Sequence, residues 1–271
     1  MAKRVLVTGA MGQIGNAVFM RLLSEPERYE AHALDRSATF SVRVPGSWTN
    51  DVPAGRFTQC DLGDMEGLRR AVRGMDAVAH LAADPNGRTW ESVLHNNVIG
   101  TYNVFEACRL EGVGRVVVAS SIMVSEGHFD QEPYKAILDV RYENVPPDYA
   151  IVSPRIPAEP RSLYGCSKVW SESLARTYAY RHGMSCLAIR IGQVERDRPR
   201  PPHGASYYVS VRDIVQIWQR AIDADDALRF DVFYGVSNND YHWVDIEHAR
   251  EVLGYVPQDR AEDAHDYEAE A

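Results

Sequence analysis

Apolar residues in this chain fall into short continuous runs, separated by longer stretches in which they recur at every third or fourth position. Continuous runs such as "VVVAS" and "AVAHLAA" predict strands buried on both faces. The longer-period stretches predict amphipathic helices. Strands are expected over 4–8, 29–35, 56–60, 77–82, 115–120, 186–191 and 231–234. Helices are expected over 14–23, 65–73, 90–110, 165–181, 211–224 and 245–253. Such strand–helix alternation predicts an α/β fold built on a doubly wound parallel sheet. Two stretches break the rhythm. Residues 125–163 are rich in proline and tyrosine, and 195–206 read "ERDRPRPPHGAS". Irregular stretches of that length inside a compact domain are either functional or misread. The acidic tail "QDRAEDAHDYEAEA" is expected to fray.

Composition narrows the picture. Of 271 residues, 45% are hydrophobic, enough for a sizeable core. A net charge of −9 disfavours nucleic acid and anionic membranes as partners. No apolar run approaches the roughly 20 residues that cross a bilayer. The N-terminus leads straight into a strand, so no leader peptide and a cytoplasmic location are expected. Cys60, Cys108, Cys166 and Cys186 form no CxxC pair and read as reduced structural thiols. The histidines show neither HxxxH nor HExxH spacing, and no metal site is expected.

The first strand runs into "VTGAMGQIG", with Gly9, Gly12 and Gly15 three apart. A strand, a glycine turn and a helix make a phosphate cradle. Gly9 permits the tight turn, Gly12 lets the backbone approach a diphosphate, and Gly15 lets helix pack on strand. Met11, Gln13 and Ile14 belong to the same turn. The spacing is GxxGxxG rather than GxGxxG, and a purely structural turn is the alternative. Asp35 ends the second strand about 20 residues on, where a carboxylate accepts from ribose hydroxyls and repels a 2′-phosphate. That favours NAD over NADP. Arg36 beside it can stack on adenine or welcome a phosphate. Asp61 and Leu62 end the third strand at the same edge.

Chemistry is carried by "SLYGCSKVW". Tyr164 and Lys168, at i and i+4, share one helix face. A phenol acting as a base near neutrality needs its pKa lowered by about 3 units, which a neighbouring ammonium promotes. Only three lysines occur, Lys3, Lys135 and Lys168. Ser121, at the carboxyl end of the fifth strand, can orient a substrate oxygen toward Tyr164. Ser120 is its competitor. Arg190, on the sixth strand, reads as a structural ion-pair partner.

In order, TGxxGxxG, "HLAA", "NNVIGTYNV", "ASS" and YGxSK resemble the extended short-chain dehydrogenase/reductase group, the NAD-dependent epimerase/dehydratase family. The resemblance runs from Val5 to about Asp259. It implies a Rossmann-type sheet with a small C-terminal substrate lobe in a single domain over 1–271. The NAD-binding core would be about 1–192 with 211–253, and the lobe 125–163 with 193–210. It also implies that Leu81, Ala82 and Ala83 line the cofactor, with Ala119 and Ile191, and that Asn97 opens its helix near the nicotinamide. "QCDL", "YNVFEACR", "LYGCSK", "IRIG" and "LGYVPQD" are most similar to uronate dehydrogenases, which oxidise the anomeric carbon of a sugar acid.

Two departures qualify that resemblance. Where uronate dehydrogenases carry Asn-His after the serine, this chain has Ile122 and Met123. Ser121 and Tyr164 are also farther apart in sequence than is usual, so 125–163 reads as an insertion: a lid, a subunit contact or a surface excursion. Substrate contacts are expected from Pro85, Ser121, Ile122, Met123, Gln193 and Arg198. Arg198 lies in a loop with Arg196 and Arg200, where a guanidinium would grip a carboxylate. The leading expectation is an NAD-dependent dehydrogenase of a small carbohydrate or sugar acid. A nucleotide-sugar epimerase would retain NAD tightly and usually has a larger C-terminal lobe. A non-catalytic NAD-sensing protein would tend to lose the tyrosine or lysine. Apolar positions on the 90–110 and 165–181 helices suit a homodimer, and suit packing on the sheet equally.

Overall fold

A computed structural model gives the structure of the chain and describes residues 1–194 and 204–263. Seven parallel strands form the central sheet: β1 (Lys3–Thr8), β2 (Tyr29–Asp35), β3 (Phe57–Gln59), β4 (Ala77–His80), β5 (Arg115–Ser121), β6 (Ser185–Ile191) and, beyond the short β7 (Gln193–Val194) and β8 (Tyr208–Val209), β9 (Phe230–Gly235). Their order is β3-β2-β1-β4-β5-β6-β9. Every neighbouring pair is parallel. The central strands are apolar at consecutive positions because helices cover both faces.

Helices α1 (Gln13–Leu23) and α7 (Val211–Ile222) cover one face through Val18, Phe19, Leu22, Ile214, Ile217 and Trp218. The other face is covered by α2 (Met65–Val72), α4 (Gly100–Glu111) and α6 (Leu163–His182). The chain leaves β1 toward β2 and β3, then crosses to β4 on the other side of β1. Ligands bind at such a reversal, outside the carboxyl ends of the strands.

Several boundaries differ from the pattern. The expected third strand is short, with a 3₁₀ turn at Ala54–Arg56 taking its first residue. The 90–110 helix is one continuous run, but α3 (Trp90–Ser92) passes into α4 through a π-helical stretch, Val93–Ile99. Asn97 therefore lies inside a helix and does not open one. Helix α6 begins at Leu163, because the Ser162 hydroxyl accepts from the Gly165 N–H at 3.1 Å and caps it there. Strand β5 extends through Ser121.

Residues 125–163 are not a surface excursion. A 3₁₀ run, Ile122–Asp130, leads to α5 (Tyr134–Leu138), and Val152 bridges to Val244 in parallel. Ile122, Tyr134, Ile137, Val152, Tyr234, Val236, Trp243 and Val244 form a third, smaller core. These apolar positions pack across long sequence separations, so no local period announces them. A two-stranded ladder, β7 (Gln193–Val194) with β8 (Tyr208–Val209), borders this lobe, and α8 (Glu247–Leu253) follows β9. Arg196, Arg198 and Arg200, and the acidic tail from 264, lie outside the described residues. No helix among the described residues is long and apolar enough to cross a membrane.

Candidate active site

The glycine turn is built as a cradle. Gly9 has φ +73° and faces the start of the loop after β4, so a Cβ there would lie 2.7 Å from the Ala82 nitrogen. At Gly15 a Cβ would lie 2.1 Å from the Gly9 carbonyl oxygen. Both positions therefore require glycine, one for φ and one for close approach. Gly12 caps α1 without any side-chain hydrogen bond, which leaves first-turn N–H groups of Gln13 and Ile14 free to face an anion. The Asp35 carboxylate, half-buried at the end of β2, accepts from the Met11 N–H at 2.9 Å. It fixes the turn against β2 while staying open to the crevice. A dinucleotide fits this arrangement, with its diphosphate at the turn and its adenosine ribose at Asp35.

Behind the cradle, Thr8 Oγ1 bonds His80 Nδ1 at 2.8 Å and accepts from the Ala82 N–H at 3.3 Å. Burial, with Lys168 adding, lowers the His80 imidazole to about 3, so it is neutral. Leu81, Ala82 and Ala83 follow at the rim; Ala119 lies two residues before the end of β5, and Ile191 ends β6. Leu62 is buried, and its carbonyl accepts from Asn103 at 2.8 Å. Asp61 is held below the ordinary carboxylate range by the Gly63 N–H first, and its side chain also meets His95 at 3.2 Å.

Ser121, Tyr164 and Lys168 come together at the carboxyl end of β5. The Ser121 hydroxyl stands beside the Tyr164 phenol and accepts from the Met123 N–H at 3.2 Å. Burial pushes that phenol above its ordinary value; Ser121 and then the charge of Arg43 pull it back without cancelling the rise. Lys168 Nζ sits 5.4 Å from the Tyr164 ring centroid and donates to the Ala119 carbonyl at 2.8 Å. Its ammonium is buried, which lowers it to about 8. Adjacent residues on a strand point to opposite faces, and that alternation separates the two serines. Ser120 donates to Glu172 at 2.5 Å inside the fold, leaving Ser121 the one beside the tyrosine.

The remaining candidates are spread around this centre. Asn97 is buried, donates to the Asp84 carbonyl at 3.1 Å and to the Ser167 hydroxyl at 3.0 Å, and accepts from the Asp84 N–H at 2.7 Å. It pins the loop after β4 to α6. Pro85 is exposed on that loop. Ile122 points into the lobe core and Met123 packs against its edge, which accounts for two apolar residues after the serine. Gln193 is half-buried on β7, and Arg36 is exposed beside Asp35.

Three residues of the site went unnoticed in the sequence. Gly87 (φ +58°) lays the loop after β4 on the tyrosine, since a Cβ there would be 2.8 Å from Tyr164 Cβ. "DPNGR" carries that turn signal. Glu126 accepts from the Ser162 hydroxyl at 2.8 Å and so braces the cap of the helix bearing Tyr164. Arg43 reaches Asn86, and nothing local marks it. A groove of about 680 Å³ between α1 and α7, beside Trp48, contains none of these residues.

A doubly wound sheet with a glycine cradle and a Ser–Tyr–Lys cluster at its carboxyl edge defines a nucleotide-dependent oxidoreductase fold of the short-chain type. The chain belongs to the NAD dependent epimerase/dehydratase family, whose model matches residues 5–214. It is 31% identical to the NAD-dependent glucose-6-phosphate dehydrogenase of Haloferax volcanii, over 96% of this chain and 95% of that one. It is 34% identical to the uronate dehydrogenase of Agrobacterium fabrum, over 96% of this chain and 86% of the relative. A tyrosine variant of uronate dehydrogenase from Agrobacterium tumefaciens, solved with NAD, superposes with a TM-score of 0.75 at 31% identity, covering 97% and 87% of the two chains. The GDP-mannose 3,5-epimerase of Arabidopsis thaliana matches only 70% of this chain and 46% of its own, at 28% identity. The protein is accordingly an NAD-dependent enzyme.

The discriminating charge is testable directly. Replacing Asp35→Ser removes a charged acceptor worth about 1.5–3 kcal/mol per hydrogen bond, so NADH affinity falls on the order of tenfold or more. NADPH affinity rises at the same time. Titrating both nucleotides measures the ratio. An unchanged rejection of NADPH would show that another group sets the preference.

Proposed function

We propose that the chain oxidises a hydroxyl or hemiacetal carbon of a small carbohydrate or sugar acid, in the manner of a uronate dehydrogenase. The observation that carries this is the Ser121–Tyr164–Lys168 cluster standing at the switch-point edge beside the glycine cradle. Likeness to sugar dehydrogenases over nearly the whole chain supports it. Ser121 orients the substrate oxygen. Tyr164 removes the hydroxyl proton as the carbon–hydrogen bond breaks. Lys168 favours the phenolate and holds the nicotinamide ribose. NAD, held by this site, would supply the hydride acceptor. Asp35, the glycine turn and the 81–83 rim hold the cofactor. Pro85, Met123 and Gln193 face the sugar, and the lobe formed by 125–163 backs it; Arg198, outside the described residues, is the proposed grip for a substrate carboxylate. Ile122 supports Met123 from behind.

The test is NADH formation from NAD with a panel of uronates, phosphorylated sugars, neutral aldoses and simple secondary alcohols. Turnover on uronates supports the acid pocket. Turnover only on neutral sugars or alcohols removes the acid pocket and keeps the chemistry. No turnover on any member, with NAD bound, defeats the reading.

We further propose a cytoplasmic homodimer. The exposed free thiol of Cys166 suits a reducing compartment. Ile99, Tyr102 and Leu110 on one helical run, and Leu163, Trp170 and Tyr180 on α6, leave apolar side chains in water on neighbouring helices. The two helices are joined by the Trp170 indole donating to the Val98 carbonyl at 3.3 Å. A paired copy would cover that face. Light scattering is expected to give twice the 30.4 kDa chain mass; a monomer mass rejects the proposal.

A further inference from the structure

The connection between β2 and β3 crosses the mouth of the cofactor crevice. The Ser41 N–H donates to the Met11 carbonyl in the glycine turn at 2.9 Å. Asn50 closes the connection on itself by donating to the Ala38 carbonyl at 2.9 Å, and Val44 is buried beneath it. Between these anchors stands Arg43. Its guanidinium donates to Asn86 Oδ1 at 2.6 Å, on the loop after β4. That loop is rigid at this point, because Asp84 Oδ1 accepts from the Asn86 N–H at 2.9 Å and Gly87 rests against Tyr164. Arg43 thus spans from the turn that takes the diphosphate to the loop beside the catalytic tyrosine.

Many arginines of this chain are paired with acids. Arg28, Arg69, Arg109 and Arg190 each meet a carboxylate. Among the described residues no carboxylate pairs with Arg43, in a protein of net charge −9. A guanidinium has five N–H donors in a planar fork, and one neutral amide occupies little of it. Phosphate oxygens match that fork in two parallel hydrogen bonds.

We infer that Arg43 is a clasp for the cofactor diphosphate: carried by the β2–β3 connection, it closes over the bound dinucleotide from the side opposite the α1 N-terminus. The diphosphate then lies between first-turn N–H groups below and a guanidinium above. Asn86 holds the side chain across the crevice. The inference rests on the dinucleotide site and is independent of which sugar is oxidised.

The experiment is equilibrium binding of NADH, ADP-ribose and adenosine to the full chain without substrate, for wild type, Arg43→Ala and Arg43→Lys. Arg43→Ala is expected to weaken NADH and ADP-ribose about tenfold, the order of a charged hydrogen-bond pair, and to flatten the salt dependence of binding. Adenosine, lacking phosphate, should bind the variants and wild type alike. Arg43→Lys should recover part of the loss, as a point charge without the fork. An unchanged thermal midpoint shows that the exposed substitution leaves the fold intact; a lowered midpoint would place the side chain in the fold and overturn the clasp. Unchanged NADH affinity overturns it too. A loss confined to NADPH would assign Arg43 to a 2′-phosphate. A loss confined to the KM of acidic sugars would assign it to the substrate anion. Both outcomes reject the diphosphate.

Discussion

Replacing Tyr164→Phe is expected to lower kcat by 10²- to 10⁴-fold, the usual worth of a positioned general base, while NADH binding stays within about twofold. The ring would keep its place. It is held by Gly87 on one side, by the Lys168 ammonium 5.4 Å from its centroid on another, and by a helix cap that Glu126 braces. Only the oxygen that meets Ser121 is lost. Single-turnover formation of NADH separates chemistry from release and makes the measurement clean. A variant retaining a tenth of wild-type kcat would mean that another group takes the proton.

That prediction is bound to pH through Lys168. In the protein alone the phenol lies above its ordinary value because burial outweighs Ser121 and Arg43. The lysine lies below its own, at about 8, because its ammonium is buried. Lys168 is therefore charged below about 8 and loses its charge above it. NADH affinity should decline as pH rises through that value, and the decline should be absent in Lys168→Met. Stability moves the other way. Between about 8 and the ordinary lysine value of 10.5, the unfolded chain binds more protons than the folded one, so the Lys168 contribution to stability grows with pH. Thermal midpoints of wild type and Lys168→Met across that window isolate it. A difference that does not change with pH would contradict the burial of a charged lysine.

Much of this site is written in local patterns. Gly9 and Gly15 could be placed because a strand-to-helix turn leaves no room for other side chains. Tyr164 and Lys168 could be paired because helical spacing alone puts them on one face. The same logic failed where structure depends on distant partners. Tyr134, Ile137 and Val152 show no period, yet they pack with Trp243 and Val244 into a third core. The family resemblance implied that Asn97 opens its helix, whereas a π-helical stretch carries it past in mid-helix and turns its amide onto Asp84 and Ser167. Ser120 and Ser121 are alike in type, and Glu172, far away in sequence, shows which of them turns into the fold. Arg43 had no signal at all, since an exposed arginine in a polar connection is ordinary until its neighbour across the crevice is known.

Glu172 also sets the largest expected change in stability. Arg190 on β6 donates to both its carboxylate oxygens, at 2.8 and 2.9 Å, and to the Tyr234 hydroxyl at 2.8 Å. Tyr234 in turn bonds the Ser125 hydroxyl at 2.8 Å. Burial alone would lower the guanidinium, but the Glu172 carboxylate outweighs it and holds Arg190 above its ordinary value. Arg190→Met leaves Glu172 buried and unpaired, at a cost of about 3–5 kcal/mol. At roughly 2–4 °C per kcal/mol for a chain of this size, the thermal midpoint should fall on the order of 10 °C. Arg190→Met combined with Glu172→Leu should recover most of that fall, because removing both charges costs far less than stranding one. Calorimetry of the two single variants and the double closes the cycle. The network also joins Ser120 to Ser125 on either side of Ser121. Activity in the double variant should therefore stay depressed after stability returns. If the single variant unfolds within 1 kcal/mol of wild type, the pair is solvated in solution and does not organise the strand end that carries the catalytic serine.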